Sequence, residues 1–245
     1  VWRALPGRAV EIDEQAAGGL EAAAREAYEA ISRFTARNSH RHLLRMYNYF
    51  SDINRGEGDA ERYKLFCAGR AAGFQALPNR SLPAATAIGR QATGRSLLVY
   101  WLASDEPGRP LENPRQISAF HYPRQYGPTP PSFSRAMQVA DGMLISGTAS
   151  VLGHTSHHPD DLPAQLDEIL RNLASLRQAG SDVAPPHSGR GTLLKIYLRN
   201  ARDAGFVASY LRERLPQAQL LILGADICRR ELLVEIDAVH LGAGT

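Results

Sequence analysis

The 245-residue sequence is poor in cysteine, in long apolar runs and in surplus charge, and each shortage excludes a class of protein. Its two cysteines, Cys67 and Cys228, lie far apart and outside any metal-ligand spacing. A disulfide-framed fold is excluded, and so are a four-cysteine zinc site and one of finger spacing. No apolar run reaches the roughly 18 residues of a spanning helix, and no basic-then-apolar leader opens the chain, so the expectation is a soluble, cytoplasmic protein with no membrane partner. Twenty-eight basic residues against 25 acidic ones leave a net charge of only +3, and the basic groups are mostly interspersed with acids. That pattern argues against a nucleic-acid partner, which needs a clustered basic face. The bias toward arginine suits a small anionic substrate instead, because a guanidinium fork matches a carboxylate.

With 44% of its residues hydrophobic, the chain can bury a core. Gln15 to Arg33 reads as a helix with Leu20, Ala24, Ala27 and Ile31 on one face, and His42 to Phe50 as a strand or the start of a buried turn. Glu61 to Phe74 reads as a second helix, weakened by Gly69 and Gly73. Thr86 to Gly89 and Ser96 to Ala103 read as a hairpin or as neighbouring strands. Prolines at 123, 128, 130 and 131 make the following stretch an ordered loop. From Gly142 on, the pattern is strand, helix (Leu162 to Leu176), strand (Thr192 to Leu198), helix (Asp203 to Leu215), then strands at Ala218 to Leu223 and Leu232 to Val239. Such a sheet packs both helices on one side and offers its other face to a second domain or subunit. The expected division is an irregular or partial N-terminal domain over 1–140 and a complete C-terminal one over 141–245.

Glu235 ranks first among candidate catalytic residues. Alternation in LLVEID puts Leu233, Glu235 and Asp237 on one strand face and Leu232, Val234, Ile236 and Ala238 on the other. Glu235 is then either a general acid with a raised pKa or a solvated group on an edge strand. Arg135, Arg124 and Arg115 border the proline-rich loop with Tyr122 and Tyr126, and they either clamp a carboxylate or hold loop carbonyls. Ser146 to Ser150, SGTAS, offers small residues that an anion can approach, although no phosphate loop or dinucleotide fingerprint is present. His154, His157 and His158 with Asp160 and Asp161 come nearest to a metal cluster, but nothing completes a zinc set, and Asp160 or Asp161 suits a helix cap. No metal or cofactor is expected. Cys67 and Cys228 read as packed, unreactive thiols, and His240 has no assigned role.

Four long blocks, HLLRMYNYFSDINRGEGDAERYKLFCAGRAAGF, NPRQISAFHYPRQYGPTPPSFSRA, LISGTASVLGH and ADICRRELLVEIDAVH, resemble the chorismatase family, and together they span most of the chain. The resemblance implies an α+β fold of RidA/YjgF-like (chorismate mutase-like) domains, each a mixed sheet with helices packed on one face. Family members are longer, so the chain is expected to lack part of its first domain. The resemblance makes Glu235 the general acid and Arg135 the binder of the substrate's ring carboxylate. It makes Tyr122 a hydrogen-bond donor in the pocket, and Gly147, Thr148, Ala149 and Gly224 wall positions. It also implies a chorismate-converting lyase or hydrolase that releases pyruvate and forms 3-hydroxybenzoate, with 4-hydroxybenzoate as the other synthase product. The alternatives are a chorismate hydrolase giving a dihydroxycyclohexadiene carboxylate, a RidA-like imine hydrolase, and a non-catalytic RidA-like binder of aromatic acids. Both a monomer and a RidA-like homo-oligomer fit the pattern.

Overall fold

A computed structural model describes residues 7–74, 81–91, 94–140, 142–180 and 191–241. Strand β1 (Gly7–Asp13), not anticipated from the sequence, packs Val10 and Ile12 on the core and leads into a short helix α1 (Glu14–Ala17). Asp13 caps that helix by accepting the amide N–H of Ala16 at 2.8 Å. Gly18 and Gly19, at φ +89° and +120°, then turn the chain into α2 (Leu20–Arg37). The single helix expected over Gln15 to Arg33 is therefore two, since that left-handed backbone costs little only for glycine.

Leu20, Ala24, Ala27 and Ile31 are buried, as their spacing requires. Helix α3 (Arg62–Phe74) packs against α2 through the two glycines that weakened its reading. A Cβ on Gly69 would lie 2.0 Å from the Glu21 carbonyl oxygen, and one on Gly73 would lie 2.6 Å from Tyr28 Cβ. Close helix contact thus overrides helix propensity at both positions. Gly69→Ala is expected to lower stability by about 1–3 kcal/mol through overpacking, despite alanine's advantage of ~1 kcal/mol as a helix former. An unchanged thermal midpoint would contradict that contact.

Four strands form the first sheet in the order β1–β4–β2–β3, with β2 at His42–Phe50, β3 at Ala84–Gly89 and β4 at Ser96–Ser104. β3 and β4 are neither a hairpin nor neighbours, because β2 lies between them, parallel to β3 and antiparallel to β4. Strand β2 is buried along nearly its whole length, as an interior strand must be. After β4 come β5 (Arg109–Leu111) and a proline-bearing loop with two 3-10 turns, followed by β6 (Ala136–Val139) and β7 (Gly142–Thr148). A ribbon of β8 (Val151–Leu152) and β9 (Thr155–Ser156) precedes α4 (Leu162–Ala179), which Asp161 caps by accepting from Ala164 N at 3.0 Å.

The chain closes with β10 (Thr192–Leu198), α5 (Ala204–Arg214), β11 (Gln219–Gly224) and β12 (Val234–Leu241). The second sheet runs β11–β10–β12–β7–β6–β5, and only β10 and β11 pair in parallel. Helices α4 and α5 cover one face, where Leu166, Ile169, Leu173 and Leu176 meet Ile145, Leu194, Ile196, Val234 and Ile236. The chain is thus α+β, with mixed sheets and helices packed on one face, as expected. Part of the other face meets the first sheet: Leu44 and Ala84 pack on Met137 and Leu144, and Ser146 Oγ accepts the Ala85 amide at 2.8 Å. Among the described residues no helix is long and apolar enough to cross a membrane.

Candidate active site

Strand β12 is an interior strand, flanked by β10 and β7. Alternation divides its side chains as the sequence suggests, with Val234, Ile236 and Ala238 entering the helix-side core while Glu235 and Asp237 point the other way. That second face is turned toward the first sheet, so the solvated-edge reading of Glu235 fails: Glu235 is 5% exposed and Asp237 1%. Glu235 borders a cavity of about 290 Å³ between the two sheets, walled also by α3 and the proline-bearing loop. Burial, and next the Asp237 carboxylate, push the Glu235 pKa up to about 8, against the opposing pull of Arg45, Arg135 and Arg229. Its carboxyl therefore holds a proton at neutral pH.

A buried polar cluster fixes the neighbouring charge. Arg45, in the middle of β2, is fully buried and pairs with Asp237 at 3.2 Å. Thr86 Oγ1 on β3 accepts a short hydrogen bond from Arg45 Nη2 and donates to Asp237 Oδ2 at 3.2 Å. Tyr197 Oη donates to the same oxygen at 3.0 Å. Asp237 is thus held by three partners drawn from two sheets. Thr86 Oγ1 also accepts the Gly147 amide at 3.0 Å, so the strand carrying Gly147 is tied to the cluster.

Gly147 is a steric requirement of the site. A Cβ there would lie 1.9 Å from Glu235 Oε1 and 3.2 Å from Thr86 Cγ2. Gly147→Ala is expected to displace the carboxyl and lower turnover ~10²-fold, the scale of a misplacement of about 1 Å. Steady-state kinetics on the folded variant checks this, and wild-type turnover would contradict it.

Arg135 follows Phe133 at the end of the proline-bearing loop and faces the same cavity, 6% exposed. Its Nη2 donates to Ile117 O at 2.8 Å and to Tyr122 Oη at 2.7 Å, and its guanidinium lies 5.1 Å from the Phe133 ring centroid and 5.5 Å from that of Tyr122. Its Nε is buried without a hydrogen-bond partner among the described residues. Tyr122 and Tyr126 both border the cavity. The other two arginines do not join them: Arg115 pairs with Glu168 and donates to Asn172 Oδ1 at 2.9 Å, while Arg124 pairs with Asp59 on the surface. Both hold structure rather than facing the site.

The proposed wall separates in the same way. Gly147 and Ala149 line the cavity, whereas Thr148, between them on a strand, does not and instead donates to Ser146 O at 2.9 Å. Gly224 is exposed on edge strand β11, opposite Leu198, and is not brought to the cavity. The resemblance implies a wall position for it, but β10 stands between β11 and β12, so Gly224 lies away from the cavity that Glu235 borders.

His154 serves the site through its backbone, accepting from Arg229 Nη1 at 2.9 Å. Arg229 stacks on the Tyr126 ring at 4.1 Å and was not anticipated as a site residue. Among the described residues no three His, Cys, Asp or Glu side chains converge as metal ligands. Cys228 borders the cavity, and burial, reinforced by Glu235, pushes its thiol well above the ordinary range, so it stays protonated. Cys67 is buried in α3 and pushed up to about 12. His240 bonds to Thr192 Oγ1 at 2.8 Å between β12 and β10.

Arg45 left a legible sign, a charged residue inside the apolar run HLLRMYNYF, where burial demands a partner. Thr86 and Arg229 left none, since only the approach of the two sheets gives them a role.

Residues 5–103 match the family described as chorismatase FkbO/Hyg5-like, N-terminal. A 3-hydroxybenzoate synthase from Streptomyces hygroscopicus is 38% identical over 91% of this chain and 70% of its own length. A chorismatase from Streptomyces rapamycinicus is 35% identical over 97% of this chain and 76% of its own length. A solved chorismatase structure superimposes with a TM-score of 0.83 at 31% identity, covering 96% of this chain and 74% of that one. Likeness of that extent, in sequence and in three dimensions, places the chain in the chorismatase family.

Proposed function

We propose that the chain converts chorismate, releasing pyruvate and forming a hydroxybenzoate, with 3-hydroxybenzoate as the favoured product. The observation that carries the reading is a buried carboxyl, Glu235, that keeps its proton at neutral pH and shares a cavity with Arg135. Chorismate is a dianion with an enolpyruvyl ether on a cyclohexadiene ring. Cleaving the ether calls for a proton on the methylene carbon, and holding the ring calls for a cation at its carboxylate.

Glu235 delivers its proton to the methylene carbon, and positive charge develops on the ether carbon and oxygen. Departure of the activated group as pyruvate breaks the ring carbon–oxygen bond. The adjacent ring hydroxyl takes over that carbon as its own proton leaves, and the epoxide-like intermediate opens to aromatic 3-hydroxybenzoate. Elimination instead gives 4-hydroxybenzoate. Neither route consumes water overall. Addition of water to the activated ether carbon is the hydrolase branch, giving pyruvate and a dihydroxycyclohexadiene carboxylate. Arg135, oriented by Tyr122 and Ile117 O, holds the ring carboxylate. Gly147 leaves the carboxyl its room, and Ala149 adds little bulk to the wall. The name of the relative from Streptomyces hygroscopicus supports the synthase branch.

Chromatography and mass analysis after incubation with chorismate, with a pyruvate assay and an enzyme-free control, test the proposal. A hydroxybenzoate equimolar with pyruvate is expected. Dihydrodiol with pyruvate would move the chain to the hydrolase branch, and no conversion by folded protein would favour a binding role.

A further inference from the structure

Residues 225–233 join β11 to β12, and the run from Cys228 to Leu232 lines the cavity just before Glu235. This loop has little backbone pairing of its own. Its first residues are tied outward, Ala225 N to Leu198 O at 2.9 Å and Asp226 to Gly89 in both directions at 2.8 Å. Among the described residues its internal main-chain bonds reduce to one, Leu232 N to Arg229 O at 3.2 Å. Carbonyls without a ladder need donors from elsewhere. Arg199, directly after β10, supplies them: Nε donates to Leu232 O at 2.9 Å, and Nη2 to Ile227 O at 3.1 Å and Arg229 O at 2.9 Å. Its Nη1 donates to Asp226 Oδ1 at 2.7 Å and to Asn54 Oδ1 at 3.4 Å, so all the N–H donors of the guanidinium are used. From the other side the buried Gln165 of α4 donates to Glu231 O at 2.9 Å and accepts the Leu233 amide at 2.8 Å.

A loop folded around one guanidinium takes its shape from that group, because a planar fork holds several carbonyls in one geometry and a flexible point charge does not. We infer that Arg199 is a positioning residue of the site: it is the internal frame of the 225–233 loop and sets where that wall of the cavity stands. The inference rests on the proposed function and deepens it. The loop carries Arg229 onto the Tyr126 ring at 4.1 Å and to 5.4 Å from the ring of Tyr122, the tyrosine whose hydroxyl accepts from Arg135. Arg230 of the same loop donates to Asn54 O at 2.6 Å and to Gly56 O at 3.2 Å, beyond the end of β2. Arg199 does not itself line the cavity. It acts on the ligand only through the wall that it frames.

The test compares wild type with Arg199→Ala and Arg199→Lys by two readouts: amide hydrogen exchange over residues 225–233, and steady-state kinetics with chorismate. Each is run with and without guanidinium ion at a concentration too low to denature. Arg199→Ala is expected to speed exchange in the loop while β10 and β12 stay slow. It should lower kcat/KM about 10²-fold, the scale of a misplacement of ~1 Å introduced away from the chemistry. The loss should fall mainly on KM, because β12, paired on both sides, still holds Glu235. Added guanidinium should slow the loop again and restore part of kcat/KM in Arg199→Ala while leaving wild type unchanged, a response that a side chain serving only global stability would not give. Arg199→Lys should fall between the two, since it keeps the charge without the fork. Unchanged loop exchange in Arg199→Ala, or a loosened loop with wild-type kcat/KM, would overturn the inference. So would faster exchange throughout β10 and β12 with no rescue by guanidinium. A folded wild type that leaves chorismate unconverted would sink the proposed function instead, and loop exchange with its rescue would still uphold or refute the frame.

Discussion

Replacing Glu235 by glutamine is expected to lower turnover of chorismate about 10²–10⁴-fold, the usual contribution of a positioned general acid, with KM changed little. The substitution keeps the shape of the side chain and removes the proton that the ether requires. In wild type the reactive form is the protonated one, so activity should hold below about pH 8 and fall as pH rises through it. The residual rate of the variant should lack that limb. Full activity in Glu235→Gln, or an unshifted alkaline limb, would remove Glu235 from the acid role.

The same proton carries a stability signature of defined sign. The folded pKa is raised from the ordinary carboxyl value of 4.5 to about 8, so between those values the folded chain holds a proton that the unfolded chain has released. Its contribution to stability is therefore fully present below about pH 4.5 and is lost as pH rises to about 8. Glu235→Gln has no such dependence. Thermal midpoints measured across this window should show the variant gaining on wild type as pH rises, and parallel curves would contradict the assigned burial.

The second large effect is on binding. Arg135→Ala should weaken chorismate by about 2–5 kcal/mol, roughly 30- to several-thousand-fold, because the ligand carboxylate would enter the cavity without its charged partner. Tyr122 would lose its donor at the same time, since Arg135 Nη2 reaches its hydroxyl at 2.7 Å. Turnover at saturation should fall less than affinity, which separates Arg135 from Glu235 in kinetics. An unchanged KM and dissociation constant in the folded variant would take Arg135 out of the site. Tyr122→Phe should show a smaller loss of the same kind, near the 0.5–1.5 kcal/mol of an ordinary hydrogen bond.

The strands and helices from Gly142 onward could be read in advance because each carries its own periodicity. Leu166, Ile169, Leu173 and Leu176 mark one helical face, and Glu235 and Asp237 mark one strand face, wherever the rest of the chain lies. The four blocks spanning His42 to His240 carried the family likeness, and with it Glu235 and Arg135. What linear order could not supply was adjacency. It left β3 and β4 as a hairpin or as neighbours although β2 separates them, and the resemblance set Gly224 in the wall although β10 stands between β11 and β12. It also treated three arginines of one loop alike. Their side chains reach a helix, an exposed aspartate and the cavity respectively.

The sequence by itself determined the main helices and strands from Gly142 onward, which of their faces are apolar, and which residue types are present to do acid and anion chemistry, since these depend on local geometry and composition. Only the tertiary structure decided that Glu235 lies buried beside Asp237, that Arg45 and Thr86 hold that aspartate from another sheet, and that Glu235 and Arg135 border one cavity. The reason is physical. A pKa, a desolvated charge and a binding geometry are properties of what surrounds a group in space, and those surroundings come from residues far away in the chain.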